Sequence, residues 1–152
     1  MFHVDSEVGR LRQVVLHRPE LELRRLTPDN ASELLFDGVL WAERAQAEHD
    51  EFAGALLARG VVVHYYGDLL TQTLEIAQAR DYIMDRVFDS RLNGPLACAA
   101  LRAAVEGLPS PVLAQALTGG ITKQEILELT PEPKSIAFHS LDPVSYTHLR
   151  AH

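Results

Sequence analysis

Leu34-Leu35-Phe36-Asp37-Gly38-Val39-Leu40-Trp41-Ala42-Glu43-Arg44-Ala45-Gln46-Ala47-Glu48-His49-Asp50-Glu51-Phe52 is the stretch whose reading decides the fold. An apolar cluster with an embedded acid and glycine runs straight into a long amphipathic segment, the pattern of a functional loop feeding a surface helix. Trp41, Ala45, Glu48, Phe52 and Leu56 fall together at helical spacing, with Ala42, Ala53 and Leu57 close by. Glu43, Arg44, Gln46, Asp50 and Glu51 fall elsewhere. A helix to about residue 59 follows, with Gly60 as its stop.

Upstream, Leu11-Arg12-Gln13-Val14-Val15-Leu16-His17 begins in alternation and ends in an apolar run, which predicts a strand largely buried in a sheet. Arg18-Pro19-Glu20 stops it, because proline cannot donate to a central ladder. Residues 21–30 read as irregular, with a turn at Thr27-Pro28-Asp29-Asn30 and a short helix start near Asn30. Downstream, Val61-Val62-Val63-His64-Tyr65-Tyr66 is a β-branched and aromatic strand closed by Gly67-Asp68. Strand, loop, helix and strand make residues 1–68 an α/β unit whose two strands share one sheet. Short helical patterns then follow at 69–74, 79–87, 95–106, 111–117 and 122–129. Pro95 and Pro111 stand at first-turn positions, and Gly107 and Gly119-Gly120 stand at helix ends.

Composition narrows the function classes. A chain of 152 residues that is 47% hydrophobic can bury a core, so one domain or one compact unit with an appendage is expected. The net charge of -7 carries no basic stripe, which argues against nucleic acid. No run approaches the roughly 18 apolar residues of a membrane span, and the N-terminus lacks a signal pattern, so the expected location is cytoplasmic with no membrane partner.

Of the seven histidines only His148 and His152, in the final residues, stand at His-x-x-x-His spacing, with no acid between them, so no metal is expected. The single cysteine, Cys98, lies in an apolar helical run and reads as a small buried side chain. Gly119-Gly120 lacks the strand and lysine of a phosphate loop and reads as a helix break. The acids at positions 43, 48, 50 and 51 read as a solvated helix face. Asp37-Gly38 is the sharper candidate, although spacing alone favours a turn over a substrate site.

Five blocks in order carry a resemblance. They are Ser6-Glu7-Val8-Gly9-x-Leu11, Val14-Val15-Leu16-His17-Arg18-Pro19, Arg25-Leu26-Thr27-Pro28-Asp29-Asn30, Glu33-Leu34-Leu35-Phe36-Asp37, and Ala45-Gln46-Ala47-Glu48-His49-Asp50-x-Phe52. Together they resemble the N-terminal part of bacterial arginine deiminase, and a looser likeness runs to about Asp142. The resemblance implies an α/β fold class. Residues 1–68 would be a partial α/β propeller (pentein-like) unit, residues 69–142 an all-helical inserted bundle, and residues 143–152 a foreign or frameshifted tail. Related amidinotransferases and dimethylarginine hydrolases share the propeller without the bundle.

The implied reaction is hydrolysis of L-arginine to L-citrulline and ammonia through a cysteine-thiouronium intermediate, with no cofactor. Carboxylates would hold the planar guanidinium, and a histidine would move protons. In the family these groups and the cysteine follow the helical insertion, so the resemblance places no catalytic residue in this chain and predicts it to be inactive alone. Leu35 and Asp37 match the loop that borders the substrate pocket, with the Leu35 carbonyl facing the substrate. Gly38 departs from the family's usual acid, which would weaken the rim's attraction for a cation. A homo-oligomer is left open. The competing reading is a non-catalytic helical interaction or oligomerisation module.

Overall fold

A computed structural model describes residues 8–31, 37–93 and 95–129. Its only sheet among these residues pairs β1 (Gln13–Leu16) with β2 (Val62–Tyr65) in parallel, Gln13 opposite Val62 and Leu16 opposite Tyr65. Parallel strands need a crossover. Here it comprises two single-turn helices, α1 (Leu21–Arg24) and α2 (Pro28–Ala31), and the long α3 (Ala42–Leu57).

Residues 21–30, read as irregular, are therefore helical in part, and local bonding explains the difference. Thr27 N–H donates to Asn30 Oδ1 at 2.7 Å, Asn30 N–H returns a bond to Thr27 Oγ1 at 3.3 Å, and Asn30 Nδ2 donates to Arg25 O at 3.0 Å. The buried asparagine is thus satisfied on both sides of its amide, in a reciprocal arrangement like a capping box. Leu23 and Leu26 anchor this segment by packing with Ala42.

Helix α3 forms where expected, but it does not bury the face that carries its aromatics. Ala42 and Ala53 are buried, and Ala45, Gln46, His49 and Leu56 are half-buried, whereas Trp41, Phe52 and Leu57 stand exposed. Small side chains let this helix lie against β2, and the aromatics flank that contact. Its end is a Schellman motif. Val61 N–H reaches Leu56 O at 3.1 Å and Gly60 N–H reaches Leu57 O at 2.9 Å, with Gly60 at φ 76°.

Strand β2 passes directly into α4 (Tyr66–Leu74), so Tyr66, Gly67 and Asp68 form a first helical turn rather than a strand end and turn. The exposed N–H groups of that turn favour the acid there. Then come α5 (Ala77–Val87), α6 (Ser90–Asn93), α7 (Pro95–Glu106), α8 (Ser110–Gly119) and α9 (Lys123–Leu129). The α6 turn was not expected. Asp89 supports it by accepting the Arg91 N–H at 2.9 Å and pairing with the Arg91 guanidinium, whose bonds hold the Asp89 pKa at about 2.

These helices share a core built on Leu74, Met84, Leu101, Val105, Leu113 and Ile126. Arg80 plugs the end of α7, donating to Glu106 O and Leu108 O at 2.7 Å each. Gly119-Gly120 breaks α8 as read, with Gly120 at φ 77°. Thr122 and Glu125 then cap α9 reciprocally: Thr122 N–H to Glu125 Oε2 at 2.8 Å, Glu125 N–H to Thr122 Oγ1 at 3.2 Å.

Candidate functional site

In open α/β sheets ligands collect beyond the carboxyl ends of the strands. Here those ends face α8 across a cleft of about 340 Å³. His17, Arg18, Glu20 and Glu22 line it after β1, Tyr65, Asp68 and Thr71 line it from β2 and α4, and Gln115 and Thr118 line it from α8. His17 Nε2 lies 2.8 Å from Glu22 Oε1, and its ring meets Tyr66 edge-on at 5.7 Å.

Arg18 forks onto Asp50 of α3, with both bonds at 2.8 Å. That hydrogen bonding raises the Arg18 pKa and lowers the Asp50 pKa, so the pair stays ionised and the Arg18 charge is spent. Glu20, Glu22 and Asp68 leave the cleft acidic, the polarity suited to a cation.

Behind the pair, His49 sits half-buried against Tyr65, their ring centroids 6.2 Å apart. Neither ring nitrogen makes a hydrogen bond. Nδ1 approaches Asp50 Oδ1 only to 3.6 Å, too far for a hydrogen bond.

Of the two residues singled out in the sequence, Asp37 is on the exposed lead into α3 beside Gly38, Val39 and Leu40 and is not among the residues that line the cleft. Leu35 lies outside the described residues. Gly38 has open space where a side chain would stand, and its backbone stays out of the left-handed region, so this turn makes no demand for glycine. Cys98 is buried and gives its S–H to Phe88 O. Among the described residues no three His, Cys, Asp or Glu side chains gather as a metal site, and no helix is long and apolar enough to cross a membrane.

The family model for arginine deiminase matches residues 32–142. The chain belongs to the arginine deiminase family. Among curated members, the arginine deiminase of Rhodococcus jostii (strain RHA1) is 48% identical over 123 residues, covering 80% of this chain and 30% of the relative. That of Mycobacterium marinum (strain ATCC BAA-535 / M) is 47% identical over 122 residues, at the same 80% and 30% coverage. That of Rhodococcus erythropolis (strain PR4 / NBRC 100887) is 48% identical over 124 residues, covering 81% and 31%. The chain thus spans about 30% of the length of the family members it matches.

The matched segment holds α3, β2 and all of α4 to α9, so the likeness read in the early blocks extends through the helical region. Sequence reasoning missed the cleft, because its walls come from positions as far apart as 17 and 118. The available signal was His17-Arg18-Pro19 at a strand's carboxyl end.

Proposed function

We propose that this chain contributes part of an arginine deiminase, an enzyme that hydrolyses L-arginine to L-citrulline and ammonia through a cysteine-thiouronium intermediate. The observation that carries the reading is the family match over residues 32–142. In this reading residues 1–68 are the first α/β propeller unit and residues 69–142 the helical insertion. Two features support it. Among the described residues the sheet has two strands, and one of its faces leaves Val15 and Val62 exposed, as in a unit whose sheet lies beside others. The described residues from 66 to 129, by contrast, form a helical body with its own core.

The loop that holds Leu35 and Asp37 borders the substrate pocket. The Leu35 carbonyl contacts the guanidinium-bearing substrate, and the Asp37 carboxylate adds to the field that draws the cation in. Chemistry falls to a thiolate outside this set. Cys98 is buried in the helical core with its S–H engaged, and a nucleophile must be exposed and ionised. No cofactor takes part.

A citrulline assay on the purified 152-residue chain tests this division of labour. No citrulline above a no-protein blank is expected, and steady turnover of arginine by this chain alone would contradict it.

A further inference from the structure

The βαβ unit and the helical region meet at a narrow joint. Leu21 of α1 lies so close to α8 that a Cβ on Gly119 would stand 2.8 Å from Leu21 Cβ, which makes glycine the residue that permits the approach. Open space lies on either side of this pivot: the acidic cleft of about 340 Å³ and a second of about 300 Å³ beneath α9, with Leu21 and Gln115 lining both. A contact with room on both sides can rock.

One side chain spans the second cleft. Arg25, just past α1, donates to Gly119 O at 3.0 Å and to Gly120 O, plugging the end of α8, and forks onto Glu125 of α9 at 2.8 Å to each oxygen. The Arg25 side chain is only 12% exposed. Glu125 is meanwhile the capping partner of Thr122, so one carboxylate serves the start of α9 and the contact between regions.

We infer that the Arg25–Glu125 pair is a latch that locks the helical region onto the βαβ unit across the Gly119–Leu21 pivot, and so sets the width of the acidic cleft at the strand ends. With the latch open, the regions rock about the pivot and about the direct Tyr65-to-Tyr66 junction, while each keeps its secondary structure.

Paired spin labels on the full chain test this, placed at Glu51 of α3 and Ala103 of α7 in a Cys98→Ala background. The parent gives one narrow distance peak. Arg25→Gln and Glu125→Gln each lose that single peak to a broad or two-peaked distribution with the helical circular dichroism kept. The double variant is no broader than Arg25→Gln alone. Glu125→Gln retains the length and hydrogen-bonding needed at the α9 cap, so it decides the matter if Arg25→Gln does not fold. An unchanged narrow peak in Glu125→Gln overturns the inference. So does loss of its helical signal, since the pair would then hold the fold and not the orientation.

Discussion

The two halves of this chain handle apolar surface in opposite ways. In the helical region Leu113 is 0% exposed, and Leu74, Val105 and Ile126 are each 1% exposed. In the βαβ unit Trp41 is 70% exposed, Val15 56% and Phe52 54%. Several short helices can surround their own core, whereas two strands, one long helix and two single turns have too few faces to enclose one. The difference teaches where cohesion comes from. The helical region supplies most of it, and the βαβ unit holds on through small side chains, a buried asparagine and the Arg25 plug.

The comparison breaks most sharply at Leu113. Leu113→Ala is expected to cost roughly 2–5 kcal/mol in denaturant unfolding, since neighbours collapse only in part around the void. A loss no larger than that from Phe52→Ala would end the contrast.

Gly119→Ala comes next and probes the joint. A methyl group pressed against Leu21 is expected to cost about 1–3 kcal/mol by overpacking, and adding Leu21→Ala should return part of that loss. Gly60→Ala forces a side chain into the left-handed region and is expected to cost about 1–2 kcal/mol in the same unfolding measurement.

Acid acts more weakly. Burial, the largest influence on Glu125, pushes its pKa up, but hydrogen bonds from the Thr122 N–H and O–H and the charge of Arg25 outweigh it and leave the pKa below its ordinary 4.5. A depressed folded pKa means stability present above 4.5 and lost as pH falls through the lower folded value. Glu125→Gln should therefore flatten part of the acid limb of a melting-temperature profile while leaving the profile near neutrality unchanged in shape. Phe52→Ser closes the series, with a change within about 0.5 kcal/mol expected for so exposed a position.

Much of this architecture was legible in the residues. β-branched runs gave the two strands, the first closed by Pro19, whereas Gly67-Asp68, read as closing the second, belongs to the first turn of α4. Pro95 and Pro111 marked helix starts because proline's φ is fixed, and Gly60 a helix end because glycine accepts the left-handed backbone there. What escaped was decided by neighbours. The buried face of α3 is set by what packs on it, with Leu23 and Leu26 against Ala42, so Ala42 and Ala53 are buried in place of the aromatics that periodicity places together. The α1 and α2 turns rest on side-chain bonds of Thr27 and Asn30, which periodicity does not see. The candidate loop was legible only through resemblance, because an Asp-Gly pair has the same local meaning in any turn, and the cleft joins positions no local window contains.

Citrulline formation by a chimera is the most direct measurement of the central reading. Residues 32–142 of this chain would replace the matching segment of the Rhodococcus jostii (strain RHA1) arginine deiminase, to which this chain is 48% identical. The account predicts a folded protein that releases citrulline from arginine, with Asp37→Ala in that chimera raising KM. A folded chimera with no turnover would contradict it.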